Sequence, residues 1–250
     1  MVAKNYNIKL QNILKFQLSN LIFESTLEKK LFLFFFIIVL LFLLIHGLSV
    51  LGIYVPSSYS KELLRVDNDG SHAEYFQYML LVGICYFIIL ISFLEKKYLF
   101  IFPFFFYLLL DDFFRIHDYY SSYLYVYPNI KFFFEYLSFK TNFREKDFYE
   151  LTFNLIPLCL FLVSLLIIKF DNVRKNFIIK YLFGVTCLIF FAVIVDILGV
   201  KLVQLINTPR HPLNTFIYFI EEGGEMITCS YIFIIFLNLY LTIKSKSNLT

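Results

Sequence analysis

The sequence predicts an all-α fold: a polytopic transmembrane helix bundle of about six membrane-spanning helices, preceded by an interfacial N-terminal helix. Three observations predict it. Of the 250 residues, 60% are hydrophobic and only 16% charged, where a soluble domain runs near 45–50% apolar and about 25% charged. The apolar residues fall in continuous runs that suit the ~20-residue helix needed to cross a bilayer. Those runs do not alternate apolar with polar residues, as the strands of a membrane barrel do. The same balance, with a net charge of only +3, excludes a disordered chain, a coiled coil and a nucleic-acid-binding module.

Taken in order, residues 1–30 read as a cytoplasmic, interfacial amphipathic leader. It carries Lys4, Lys9, Lys15, Lys29 and Lys30 beside apolar residues at mixed spacing, as a helix lying on a membrane surface does. The first crossing is 31–53, with His46 as its only ionisable group; alone there, His46 reads as a packing residue. It is too long for a cleavable signal peptide and no Ala-x-Ala site follows it. The second crossing is about 76–94. The third runs from near Tyr98 to about Tyr119. The fourth is about 151–168, the fifth about 177–203 and the sixth about 214–243. Residues 31–243 then form one transmembrane domain, and 244–250 a short cytoplasmic tail. The stretch Lys131–Leu137 is suited to lying flat on the outer surface. Cys85, Cys159, Cys187 and Cys229 each lie inside an apolar run without a CxxC pair, so they read as small buried hydrophobes and not as a disulfide framework.

Lysine and arginine set the orientation, because cytoplasmic loops carry the excess. With the N-terminus inside, the inner segments hold 13 basic residues and the outer loops 8. Both termini are therefore expected in the cytoplasm, with the protein in the cell's inner (plasma) membrane. Tyr119, Tyr120, Tyr123, Tyr125 and Tyr127 would form an aromatic belt at the outer interface.

Seven carboxylates interrupt these runs: Asp111, Asp112, Asp118, Asp196, Glu221, Glu222 and Glu225, with Arg115 and His117 beside them. An ionised side chain at mid-bilayer costs roughly 2.5–3.5 kcal/mol on insertion scales. Such groups must be protonated, hydrated or bound to cations, and they mark functional sites by default. At about 1.5 Å per residue Asp111 stands about 20 Å up the third helix. All the unusual acids then fall in the outer half of the bundle, with nothing comparable in the inner half. At helical spacing Asp111, Arg115 and Asp118 share one face, which also suits a packing ion triad. Glu221 and Glu225 share a face of the sixth helix, where Gly223 and Gly224 admit a close neighbour. His72 and Glu74, at the outer start of the second helix, form a second tier with Asp196.

Two segments carry a resemblance. Asp111-Asp112-Phe113-Phe114-Arg115-Ile116-His117-Asp118 and Glu221-Glu222-Gly223-Gly224-Glu225-Met226 resemble a pattern in uncharacterised bacterial polytopic membrane proteins. In that pattern an acidic pair, four residues, a His and an acid close one helix, and Glu-Glu-x-x-Glu-Met lies in a later one. The resemblance implies a shared site and no established activity. Asp112 and Asp118 stand where the pattern has Glu.

No zinc-protease, nucleophile-elbow or phosphate-loop signature is present. Three functions follow from the acids. The first is a metal-assisted hydrolase or transferase on a lipid-like substrate. Asp112, His117, Glu221 and Glu222 would hold a divalent metal (Zn, Mn, Mg or Ca), with Asp111, Asp118, Glu225 and Arg115 as the catalytic set. Its general plan resembles the seven-helix ceramidase-like hydrolases, whose histidine set this chain lacks. The second is a proton- or cation-coupled transporter or channel. The third is a non-catalytic membrane subunit or sensor. Membrane lipids are the expected partners, along with a homo-oligomer or a membrane partner subunit.

Overall fold

The structure is a computed structural model. It describes residues 23, 25–50, 71–116, 119–120, 123, 128–141, 145–167, 175–195, 197–199, 202 and 212–247. Among them the chain is helical, with no strand. Four helices are long and apolar enough to cross a membrane: Thr26–Val50, His72–Leu94, Asn176–Gly199 and Phe216–Ser247.

The first helix, α1 (Thr26–Val50), starts inside the segment read as a leader. A capping box explains the start. The Glu28 amide donates to Ser25 Oγ at 3.0 Å, and the Ser25 amide donates to the Glu28 carboxylate at 3.1 Å. Two amide donors of the helix start are thereby satisfied. The rest of the leader lies outside the described residues. Helix α2 (His72–Leu94) begins the same way, with the Glu74 amide donating to Ser71 Oγ at 3.2 Å.

The third run is not one helix. A 3-10 turn over Lys96–Ile101 leads into α3 (Phe102–Phe114), which has Pro103 in its first turn. It ends five residues before the boundary expected from hydropathy. Arg115 closes it in the left-handed region, at φ 51°, with its amide bonded to the Asp111 carbonyl. That conformation costs a non-glycine residue roughly 1–2 kcal/mol, and hydropathy carries no trace of it.

Helix α4 (Pro128–Thr141) contains the stretch expected on the outer surface. Its Phe134 is buried, ring against ring, on Phe148 and Tyr149 of α5 (Glu145–Ile167). Pro157 lies inside α5 and withholds the amide that would bond the Phe153 carbonyl one turn back. Helix α6 (Lys175–Ile189) continues into a π-helical segment, Phe190–Val195. Helix α7 (Pro212–Ser247) is the longest described, at 36 residues.

The core forms where α2, α3, α6 and α7 meet. Ile84, Ile88, Phe105, Tyr181, Ile232 and Phe236 are all buried there. Helix directions follow from facing residues. Leu43 and Phe219 lie against Gly223 and Gly47, so α1 runs opposite to α7. Ile232 lies on Gly184 and Phe191 on Gly224, so α6 does too. Gln77 and Gly83 of α2 meet Glu225 and Phe233, so α2 runs with α7.

Candidate functional site

Three helices bring acids together at one end of this bundle. From α7, Glu221, Glu222 and Glu225 are half-buried. Glu222 lies within electrostatic reach of Glu225, Glu221, Asp112 and Glu74. Asp112 comes from the last turn of α3 and Glu74 from the first turn of α2. Of the carboxylates of α3, Asp112 therefore approaches the glutamates of α7, and the second-tier Glu74 joins them.

Two polar residues organise the site that sequence reasoning missed. Gln77 donates from Nε2 to Glu225 Oε2 at 3.1 Å. The Tyr78 hydroxyl donates to the Glu74 carboxylate and reaches the main-chain carbonyl of Asp112 at 2.9 Å. Tyr78 thus ties the start of α2 to the end of α3. Arg115 is within electrostatic reach of Tyr78. A readable signal existed: Glu74, Gln77 and Tyr78 stand at i, i+3 and i+4, so they share one face of an otherwise apolar helix.

The remaining predictions divide. Asp111 is buried but lies on a different side of α3. At 100° per residue it falls between Phe104, Tyr107 and Leu108, and it reaches Tyr107 electrostatically. Arg115 leaves the helical path at the end of α3, so it does not continue the helix face of Asp111. His72 is exposed at the start of α2. His117, Asp118 and Asp196 lie outside the described residues. His46 is buried edge-on against Phe219, one turn from Glu222. Among the described residues, no three His, Cys, Asp or Glu side chains are grouped so as to hold a metal ion.

The glycines do what their size suggests. A β-carbon on Gly223 would meet Leu43 Cδ1 at 2.9 Å, and one on Gly224 would overlap the Phe191 ring. Without side chains there, α1 and the π segment press directly on the stretch of α7 that carries the glutamates.

The opposite end of the bundle is not apolar, contrary to expectation. Lys180 of α6 donates from Nζ to both Glu28 carboxylate oxygens, at 3.2 and 3.3 Å. Asn238 of α7 donates from Nδ2 to Glu28 Oε1 at 2.7 Å. Glu28 and Lys180 are each 3% exposed. A cavity of about 90 Å³ adjoins them, lined also by Asn176 and Thr242.

The two polar regions are separated along α7. Asn238 stands thirteen positions on from Glu225, about 20 Å of helix. Met226, Cys229, Ile232, Ile235 and Phe236 fill that interval and are buried. The hydroxyls of Thr228 and Ser230 bond back to the carbonyls of Gly224 and Met226, so they extend no polar path.

The model of one family, a domain of unknown function (DUF8692), matches residues 31–239. No curated protein and no solved structure matches the chain.

Proposed function

Because the chain belongs to the DUF8692 family, whose description assigns no activity, we propose its function from its own residues: an intramembrane hydrolase or transferase acting on a lipid-like substrate, assisted by a divalent cation. One observation supports this above the others. Glu74, Asp112, Glu221, Glu222 and Glu225 come from three helices to one end of the bundle, and a buried apolar layer lies beneath them. A site at one end of the bundle suits chemistry on a bond near the lipid headgroups.

In this reading six helices cross the cell's inner membrane, with both termini in the cytoplasm. The four long helices are joined by α5 and by the 3-10 turn with α3. That third element is about 31 Å long, at roughly 2.0 and 1.5 Å per residue, close to the ~30 Å of hydrocarbon. Asp112, Glu221 and Glu222 are not grouped at ligand spacing as they stand; drawn closer, they would supply oxygens to Zn, Mn, Mg or Ca, with His117 as the nitrogen ligand. Such an ion would supply an acidified water. Glu225, held by Gln77, would be the general base. Arg115 faces the negative charge that develops on the substrate.

Elemental mass spectrometry tests this. Wild-type protein purified in mild detergent without chelator is expected to carry about one equivalent of divalent metal, through the oxygen-ligand chemistry that suits these ions. The Asp112→Asn, Glu222→Gln double variant is expected to carry none. Metal in neither sample, even after added Zn²⁺, Mn²⁺ or Ca²⁺, overturns the reading.

A second reading, proton- or cation-coupled transport, draws support from the Glu28–Lys180–Asn238 group. Its Asn238 sits on the same long helix as Glu222, so α7 takes part in polar groups at both ends. The apolar interval of about 20 Å between them weighs against it.

A further inference from the structure

A second cavity lies beside the carboxylates, on the other side of α3. Its volume is about 160 Å³, and Phe104 and Leu108 of α3, Asn154 and Leu158 of α5, and Leu188 and Ala192 of the α6–π element line it. All but Asn154 are apolar. Leu155 and Leu158 on its α5 wall are exposed, at 52% and 37%. In a membrane that wall faces lipid, so the cavity is a lateral groove open to hydrocarbon and not a water-filled chamber. An apolar cavity of about this size stays dry and takes hydrocarbon.

Beyond one end of the groove stand two polar residues that do not themselves line it. Tyr107 and Asp111 lie on the face of α3 that carries Phe104 and Leu108, and Asp111 stands one turn beyond Leu108. Asp111 is buried. Tyr107 packs on Phe153 of α5, and its hydroxyl is buried with no hydrogen-bond partner among the described residues. A buried hydroxyl left unbonded costs about 1–3 kcal/mol, so a ligand oxygen there would remove a penalty. Asn154 adds an amide at the same end. Two neighbours in the chain relate the groove to the carboxylate site, although no residue of that site lines it. Asp112 follows Asp111, and Phe191, next to Ala192 in the π segment, packs on Gly224 between Glu222 and Glu225.

We infer that this groove holds a fatty-acyl chain of the substrate, with its acyl carbonyl accepting a hydrogen bond from the Tyr107 hydroxyl beside Asp111. The inference rests on the proposed lipid chemistry and names the substrate class: a long-chain acyl ester or amide, entered sideways from the bilayer between α3, α5 and the π segment. The chain supplies apolar area to the groove. The carbonyl oxygen supplies the acceptor that Tyr107 lacks. The bond to be cleaved or transferred then lies on the Asp111–Asp112 side.

The test uses the full chain in lipid nanodiscs and a long-chain acyl ester carrying a diazirine in mid-chain. A diazirine alkane of equal length serves as control. After illumination, adducts are mapped by peptide mass spectrometry. The ester label is expected on peptides containing 104–108, 154–158 and 188–193. Ala192→Phe is expected to cut it roughly tenfold, since a ring of benzene size fills a cavity of this volume. Leu158→Phe fills the groove from its exposed wall and is read in the same way where Ala192→Phe does not fold. Tyr107→Phe is expected to lower ester labelling roughly fivefold, the worth of one hydrogen bond, and to leave alkane labelling unchanged. Label spread over exposed residues such as Phe93 and Leu166 in proportion to exposure, unmoved by Ala192→Phe, overturns the inference. The Asp112→Asn, Glu222→Gln variant separates this from the cation reading. Focused label with no metal in the wild type means the cation reading fails and the groove stands. Metal without focused label means the reverse.

Discussion

Lys180→Met is expected to destabilise the protein by about 3–5 kcal/mol, the usual cost of removing one partner of a buried ion pair. Lys180 meets both oxygens of Glu28, and both residues are 3% exposed. The variant leaves the carboxylate in the bundle without that ammonium. Asn238 and the Ser25 amide still donate to it, but neither carries charge. A double variant, Glu28→Gln with Lys180→Met, is expected to recover most of the loss, because no charge is then buried. Lys246→Met, at an exposed position of the last turn of α7, is the control and is expected to change stability by less than about 0.5 kcal/mol. Thermal unfolding in detergent, followed by the monodisperse fraction, checks all three. For a chain of this length the single variant is expected to lower the midpoint by on the order of 10 °C. A midpoint equal to that of Lys246→Met would mean that the pair does not hold α1, α6 and α7 together.

Gly224→Val is expected to cost about 1–3 kcal/mol, the usual penalty of overpacking. The Phe191 ring occupies the space that a β-carbon would take, so even alanine forces the ring to move. Gly223→Ala is milder. Its nearest neighbour is the end of the Leu43 side chain, at 2.9 Å, which has other rotamers. The two glycines are adjacent in sequence, so unequal losses at them isolate the close approach of the π segment. Combining Gly224→Ala with Phe191→Ala is expected to relieve the clash and leave a packing void of its own. Thermal unfolding gives the stability order. Metal content in the same samples reports whether displacing Phe191 also disturbs Glu222 and Glu225. Equal losses at Gly223 and Gly224 would contradict the packing described.

Much of the architecture was legible because composition and run length act along the chain. The continuous apolar runs of α1, α2, α6 and α7 needed no tertiary knowledge. The third run was misjudged in length, since Arg115 ends α3 by a backbone conformation that hydropathy does not record. Glu28 was passed over because a glutamate beside Lys29 and Lys30 looks solvated. Its partners are 152 and 210 residues away. The capping pattern Ser25-x-x-Glu28 was nevertheless there to be read, as was Ser71-x-x-Glu74. At the acidic site, the glutamates of α7 and Asp112 were found from charge alone, because charges in apolar runs are conspicuous. Gln77 and Tyr78 were passed over because uncharged polar residues are not. Asp111 and Asp112 are neighbours in the chain but about 100° apart around α3, so charge in an apolar run did not say which of the two meets the glutamates of α7.

Ion flux in proteoliposomes tests most directly whether the carboxylate site is closed beneath by the apolar layer around Ile232, Ile235 and Phe236. Wild-type protein is reconstituted, and proton and cation movement is followed under an imposed pH gradient and membrane potential. The expected result is flux no faster than through protein-free vesicles, for the wild type and for Glu222→Gln alike. Flux carried by the wild type and abolished in Glu222→Gln would contradict a closed site and make the carboxylates part of a conduction path.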